Sequence, residues 1–324
     1  DSVFSRTWQL VGRTEQVSKP GDYFTAMIGR EPIIVVRRAD EKLRALSNVC
    51  RHRAGPVATG EGNRKVFQCG YHGWTYTLNG NLLGTPEFDG VENFNKETNC
   101  LPEFKVETWA GLVFVNLDRS ATPLTDFLED IPERIKHHDL SAMKFAARKD
   151  WYIDCNWKIY VDNYLEGYHI PIVHPELNRE LDYNNYRTET KRYYSIQHSP
   201  IKQSTKGRLK VEGENTEAQY FWIFPNLMLN VYPDNFSTNL IVPLGPERTL
   251  TIFEWYFCNP ELPETQERIQ RTIEFSDEIQ IEDIRICEAV QRNLHSRTYS
   301  QGRYSVKREN GVHHFHGLLN EFLK

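Results

Sequence analysis

In the first third of the chain, β-branched and apolar residues come in short runs broken by Gly, Pro and polar pairs, the rhythm of strands and tight turns. Pro32 to Arg38 and Leu43 to Val49 are such runs, with Asp40-Glu41 between them as a hairpin turn. Thr75 to Leu78 leads into Asn79-Gly80, a turn pair in which both residues tolerate positive φ. Gly111 to Leu117 is an apolar strand that closes the region. The pattern predicts a small all-β domain over residues 5–118, a linker at Ser120 to Pro123, and a second domain over 119–324.

Beyond the linker, a period of 3.6 joins the strand rhythm. Leu124 to Leu128 begins a short amphipathic helix, and Trp151 to Asp154 a strand. Asn156 is suited to cap a helix through its side-chain oxygen. Trp157, Tyr160, Val161, Tyr164, Leu165 and Tyr168 then fall on one buried face, with Pro171 ending the helix. Strands follow at Tyr186 to Gln197, Gln219 to Phe224, Leu227 to Tyr232, Ser237 to Val242 and Thr249 to Phe257. After Pro263 no proline interrupts the chain, and the isoleucines from Ile269 to Ile286 fit a long helix or two abutting ones. The fold class is α+β: an all-β domain, then an antiparallel sheet with a long C-terminal helix against it.

Composition narrows the function. The 324 residues carry a net charge of −5, with 39% hydrophobic and 26% charged residues, as in ordinary globular proteins. A mildly acidic chain is ill suited to nucleic acid as its main partner. No apolar stretch approaches the length of a membrane span, and Asp1 to Arg6 lacks the apolar run of a signal peptide, so a cytoplasmic location is expected. Six cysteines are too sparse for a disulfide framework. Cys100, Cys155, Cys258 and Cys287 show no paired spacing and read as reduced, partly buried thiols.

The other two cysteines lie in short arms, Cys50-Arg51-His52 and Cys69-Gly70-Tyr71-His72. A structural zinc site usually takes like ligands in each arm. Here each arm carries one thiol and one imidazole, which suits a centre with both thiolates on one iron and both imidazoles on the other. Gly55, Gly70 and Gly73 give the flanking loops room to fold tightly. The pattern, with Trp74 following, resembles the Rieske ferredoxin and oxygenase family, and that resemblance implies a [2Fe–2S] cluster held by Cys50, His52, Cys69 and His72.

A second constellation lies at Glu166, His169 and His174. Glu166 and His169 are three residues apart and share a helical face. Two imidazoles and a later carboxylate would make the facial triad of a non-haem Fe(II) oxygenase. The run Asn156-Trp157-Lys158, Asp162-Asn163-Tyr164-Leu165-Glu166-Gly167-Tyr168-His169 and His174-Pro175 resembles the catalytic-helix motif of Rieske non-haem iron oxygenase α subunits. The resemblance implies a helix-grip catalytic domain with mononuclear iron on His169, His174 and an acid of the long helix. Asp283 is the expected acid, with Glu282 and Asp277 as alternatives. It also implies that Glu166 bridges a Rieske histidine of the next subunit to His169. Glu rather than Asp at 166 is similar to the carnitine, choline and glycine-betaine oxygenases.

The implied activity is that of the terminal oxygenase of a multicomponent system. It uses O2 and electrons from NAD(P)H, delivered by a reductase or ferredoxin. A homotrimer is implied, with or without a β subunit. A quaternary ammonium substrate leads, with N-demethylation or C–N cleavage as outcome, and an aromatic acid is the alternative. Two rivals stand outside this class: a Rieske electron carrier fused to a binding domain, and a zinc-stabilised binding module. Aromatics of the second domain, Tyr183, Tyr186, Tyr193, Tyr194, Trp222, Tyr232, Trp255 and Tyr256, serve either core packing or a cation cage. Arg51, Arg53, Arg64 and Lys65 read as solvated charge or as a docking patch, and His313, His314 and His316 as a weak second metal motif.

Overall fold

The computed structural model describes residues 2–202 and 217–324. It divides the chain into two compact units, the first ending at Phe127 and the second beginning at Leu128. The helix Leu124–Leu128, read from sequence as the start of the second domain, falls almost wholly in the first unit. Its first amide explains this: Leu124 N–H donates to Glu107, on the strand Glu103–Trp109, at 3.0 Å.

The first unit is built on an antiparallel sheet ordered Gln9–Arg13, Leu112–Asn116, Glu103–Trp109, Leu43–Ser47, Glu31–Arg37, Asp22–Ile28, Glu61–Asn63. The run Ile33 to Val36 is continuously apolar because both its faces are covered. Ile33 and Val35 pack with Phe24, Val113 and Val115; Ile34 and Val36 pack with Tyr23, Leu46, Phe67 and Tyr76. The latter layer includes a small sheet of Val66–Gln68, Thr75–Thr77 and Leu82–Gly84. Of the turn pair Asn79-Gly80, only Gly80 is left-handed, at φ 84°. The Thr77 hydroxyl accepts the N–H groups of Asn79 and Asn81, both at 3.1 Å, and so closes the turn in place of a left-handed Asn79.

The second unit holds an antiparallel sheet ordered Lys144–Ile153, Arg248–Phe257, Asn235–Gly245, Leu227–Val231, Glu217–Ile223, Tyr194–Pro200, Arg187–Thr190. The stretch Tyr186 to Gln197 is two strands rather than one. The break falls at Arg192-Tyr193, where the Glu129 carboxylate accepts the Tyr193 N–H at 2.8 Å. The strand ending at Ile153 starts at Lys144, seven residues before the apolar signal, because Arg148, Lys149 and Asp150 interrupt its apolar pattern while pairing to Arg248–Phe257 runs its whole length.

A single helix, Pro263–Asn293, lies against this sheet, with Ile269 packed on Phe253, Trp255 and Phe257. This is the expected α+β arrangement. Ile281, Ile286 and Val290 are nevertheless exposed on this unit. A further helix, Asn310–Leu323, carries the C-terminal histidines and buries Phe315, Leu318 and Leu319; sequence periodicity did not single it out.

Candidate functional site

The two thiol–imidazole arms fold into the same loop. Cys50 N–H donates to Gly55 O at 2.9 Å and Ala54 N–H to Cys50 O at 3.0 Å. In the second arm Cys69 N–H donates to Trp74 O at 2.9 Å and Gly73 N–H to Cys69 O at 3.1 Å. The residue four after each cysteine is left-handed, Ala54 at φ 56° and Gly73 at φ 73°. Asn48 ties down the first loop, accepting the N–H groups of Val57 and Ala58 and donating to Ala58 O. The loops face each other closely: a Cβ on Gly55 would lie 3.0 Å from Cys69 Sγ.

Both cysteines are buried, and the rings of His52 and His72 are 4.6 Å apart. His52 stacks on Trp74 at 4.9 Å, behind which Phe88 and Phe94 close a small aromatic wall. Desolvation and the neighbouring His52 and Arg53 hold the His72 imidazole below its ordinary pKa, which favours the neutral ligand form. The buried His52 Nδ1 has no hydrogen-bond partner, as befits an atom that would otherwise hold a metal. Tyr76, fully buried, brings its hydroxyl to 3.3 Å from Cys50 Sγ and accepts the Arg51 N–H at 3.0 Å. The role of Tyr76 had no signature beyond its strand.

The second set forms around a broken helix. Asn156 caps Trp157–Tyr164 by accepting the Lys158 N–H at 3.1 Å. Trp157, Tyr160 and Val161 are buried as expected, but the helix ends at Tyr164 and Tyr168 is exposed. Pro171 does not end this helix. It sits in the first turn of the next one, Ile170–Val173, where its missing N–H costs nothing. Glu166 therefore lies in the turn between helices, where one carboxylate oxygen accepts the N–H groups of Tyr168 and His169. Its other oxygen meets His169 Nδ1 at 2.7 Å.

His174 is 2% exposed. Its Nδ1 meets Glu282 at 2.7 Å and its Nε2 meets Asp283 Oδ1 at 3.0 Å. His169 Nε2 is 3.8 Å from that same oxygen. Donor atoms of His169, His174 and Asp283 all lie within 4.8 Å of one another. Glu282 sits on the far side of His174, and Asp277 is bound to Lys149 Nζ at 2.6 Å. With a metal on Nε2, the outer carboxylates would hold both imidazoles as Nδ1–H tautomers. Burial alone would lower the pKa of His174, but Asp283 and Glu282 outweigh it and raise it.

The long helix is brought to this register by polar bonds. Gln280 joins the Tyr160 hydroxyl at 2.5 Å and Thr251 at 3.2 Å, and Gln291 accepts the Asn156 N–H at 2.8 Å. Asn163 donates to Asp283 Oδ1 at 2.6 Å. Neither Gln280 nor Asn163 was given a role by sequence, although a buried Gln on an isoleucine-rich helix was a signal to follow. A cavity of about 390 Å³ opens from His169, His174 and Asp283. Of the aromatics singled out from sequence, Tyr186, Tyr232 and Trp255 line it, joined by Tyr164, Tyr220, Phe253 and Phe275. Tyr194 and Trp222 are fully buried core instead.

Comparison with known proteins decides the family. Residues 7–95 match the Rieske [2Fe-2S] domain, and residues 140–324 the ring hydroxylating alpha subunit (catalytic domain). A choline monooxygenase of Arabidopsis thaliana is 35% identical over 100% of this chain and 79% of its own length. The chain belongs to the Rieske oxygenase family. The carnitine monooxygenase oxygenase subunit of Escherichia coli is also 35% identical, over 100% of this chain and 89% of its own. The solved structure of a quaternary ammonium Rieske monooxygenase matches with a TM-score of 0.88 at 32% identity, covering 100% of this chain and 90% of that one. Naphthalene 1,2-dioxygenase, at 20% identity and a TM-score of 0.80, shares the fold.

As a Rieske oxygenase this protein is the oxygenase component of a multicomponent system, with a [2Fe–2S] cluster, mononuclear non-haem iron, O2 and reductase-derived electrons. Both groups of donors described above fit that pair of cofactors.

The remaining sequence candidates fall elsewhere. His316 bonds Tyr304 at 2.5 Å and Asp162 at 2.9 Å, so it stitches the C-terminal helix to the catalytic one. Cys155 and Cys287 are buried, Cys100 is half-buried and Cys258 is exposed, which corrects the last. Arg51, Arg53, Arg64 and Lys65 lie at the surface, with Arg53 over Tyr71 and Arg64 over Tyr23. Among the described residues, no helix is long and apolar enough to cross a membrane.

Proposed function

We propose that this Rieske oxygenase hydroxylates a carbon bound to the nitrogen of a quaternary ammonium compound, with His169, His174 and Asp283 holding the mononuclear iron and Cys50, His52, Cys69 and His72 the cluster. The observation that carries the substrate reading is the cavity wall. Tyr164, Tyr186, Tyr220 and Tyr232 line a pocket that opens on those iron-site donors. An aromatic lining of this kind attracts a trimethylammonium group by cation–π interaction. The relatives named for choline, carnitine and quaternary ammonium oxidation support it.

The iron, when bound, supplies O2 activation at a centre with open coordination positions. The residues do the rest. Glu166 and Glu282 keep both imidazoles in the ligating tautomer. Asn163 holds the Asp283 carboxylate. A carboxylate bound to His169 Nδ1 can also accept an imidazole N–H from a second side, which supports Glu166 as the electron path between subunits. We assign it the bridge from that subunit's Rieske histidine to His169, within a homotrimer.

In the overall reaction, one oxygen atom enters a C–H bond next to nitrogen and the other leaves as water, with two electrons and two protons consumed. The resulting N-hydroxyalkyl ammonium loses its hydroxyl proton as the C–N bond breaks, giving a tertiary amine and an aldehyde. The test is turnover with NADH, a generic reductase and a panel of choline, glycine betaine, longer trimethylammonio acids and benzoate, scored by O2 uptake and product mass. Aldehyde and amine formed with equimolar O2 uptake support the reading; consumption of benzoate alone overturns it.

A further inference from the structure

The tyrosine wall and the turn that carries Glu166 are fastened to each other through one amide. Gln197 stands in the strand Tyr194–Pro200 and lines the cavity, only 2% exposed. Its side-chain oxygen accepts the Tyr186 hydroxyl at 2.7 Å, and its side-chain nitrogen donates to the Tyr164 carbonyl at 2.6 Å. That carbonyl is the last of the helix Trp157–Tyr164, one of the terminal acceptors a helix cannot satisfy from within. Glu166 follows two residues later and His169 five.

Two close approaches leave this turn little slack. The Tyr186 ring lies against Gly167, where a Cβ would sit 2.6 Å from a ring carbon. The Leu165 carbonyl lies against Gly311 of the C-terminal helix, where a Cβ would sit 2.5 Å from its oxygen. Tyr186 is held by its backbone as well, its carbonyl accepting an Arg308 N–H at 3.0 Å. The Tyr164 ring is fixed by Asn230, which accepts its hydroxyl at 2.7 Å and donates to Ser237 at 3.1 Å.

We infer that Gln197 is a positioning residue that holds the substrate wall and the Glu166–His169 turn in one register, acting through Tyr186 on the first and through the Tyr164 carbonyl on the second. The inference rests on the quaternary ammonium reading for what the wall binds, and on Glu166 as the electron path for what the turn does. An amide suits the task because it presents an acceptor and a donor in one plane. An apolar side chain there would leave a buried hydroxyl and a buried carbonyl without partners, and nothing would then tie the ring to the helix end.

The experiment compares wild type with Gln197→Met, Tyr186→Phe and Gly167→Ala, each checked for iron content and for the EPR signal of the reduced cluster. Calorimetry gives the Kd of tetramethylammonium for the iron-loaded, unreduced enzyme. Turnover gives kcat and KM for whichever of choline, glycine betaine and the longer trimethylammonio acids wild type consumes fastest. Stopped flow gives the rate at which O2 oxidises the pre-reduced cluster, with and without that compound. Gln197→Met cuts both ties, so it raises Kd and KM about fivefold and slows kcat and cluster oxidation about tenfold. Tyr186→Phe cuts only the tie to the wall and leaves Gln197 on the helix end, so it shifts KM more than kcat. Gly167→Ala presses a methyl into the ring without touching Gln197, and moves Kd and the oxidation rate together.

Wild-type kcat and KM in a fully loaded Gln197→Met overturn the inference. So does a shift in KM alone, matching that of Tyr186→Phe, which would leave Gln197 as the anchor of one ring. Should Gln197→Met fail to load its metals, Gly167→Ala decides: slowed oxidation with an unmoved Kd overturns the inference. If wild type neither binds tetramethylammonium nor consumes any amine, the parent reading has failed instead. The oxidation rate without amine then still tests the helix-end tie, and a wild-type rate in Gln197→Met rejects it.

Discussion

The two metal-binding regions treat their imidazoles in opposite ways. In the first unit His52 leans on Trp74 and its Nδ1 has no hydrogen-bond partner, while a hydroxyl, Tyr76, attends the sulfur of Cys50. In the second, His169 and His174 each have a carboxylate on Nδ1, and both turn Nε2 to a third carboxylate, Asp283. The difference matches the work proposed for each. An electron carrier gains from neutral ligands, which raise its potential, and from a fixed shell that need not change on reduction. An O2-activating iron gains from a carboxylate ligand, free positions and imidazoles whose tautomer is locked from outside.

The widest separation comes from removing ligands. His174→Ala or Asp283→Ala should lower iron from about three to about two atoms per chain and abolish turnover, while the reduced cluster keeps its EPR signal. Cys69→Ser should do the reverse, losing the cluster signal while the second unit still binds one iron. Metal analysis with EPR reads both. If Asp283→Ala kept its third iron, the ligand set proposed here would be wrong, and Glu282 would need to swing inward to replace it.

A smaller effect tests Glu166. Glu166→Gln keeps shape and volume but removes charge and turns an amide N–H towards one of its partners. The cluster should still reduce, and iron should remain, yet stopped-flow oxidation of the pre-reduced cluster by O2 with substrate present should slow by about a hundredfold. A wild-type rate would leave Glu166 as the cap of the turn alone. Glu282→Gln sharpens the contrast, because Glu282 also holds an Nδ1 but of the buried His174. It should cost about tenfold in iron affinity, measured by chelator competition, and leave electron transfer in the loaded enzyme close to wild type.

These two sites were unequally legible. The cluster arms could be read from the sequence because each loop is local: thiol, imidazole and left-handed residue fall within five positions, Cys50 to Ala54 and Cys69 to Gly73. The proposed iron site draws on residues more than a hundred positions apart, and the motif around His169 supplied two of its three ligands. Asp283 and Glu282 are equally acidic neighbours. Only the bonds that fix the helix, Gln280 to Tyr160 and Gln291 to Asn156, decide which of them faces inward. Pro171 misled because a proline both ends helices and starts them. The strand from Lys144 escaped because Arg148, Lys149 and Asp150 break its apolar pattern, while pairing and the packing of Ala146 and Ala147 order it.

The smallest effect lies in the first unit. The Arg51 N–H donates to the Tyr76 oxygen, so the hydroxyl hydrogen is free to point at Cys50 Sγ 3.3 Å away. Burial and the neighbouring Cys50 push the Tyr76 pKa well above its ordinary value, so the group stays a donor at any working pH. Reduction adds negative charge to the cluster and its sulfurs, and a hydrogen bond to sulfur stabilises that state more than the oxidised one. Tyr76→Phe removes this bond with little change of shape in a fully buried position. It should lower the cluster potential by tens of millivolts, the electrochemical equivalent of about 1 kcal/mol at roughly 59 mV per tenfold for one electron. The orphaned Arg51 N–H should cost about 1 kcal/mol of stability as well. Iron content and substrate affinity should not move, since neither His169 nor the cavity involves Tyr76. A redox titration followed by EPR reads the shift. An unchanged potential would mean that the hydroxyl serves only to hold the Arg51 backbone, and the tuning of the cluster would then rest on its two imidazoles alone.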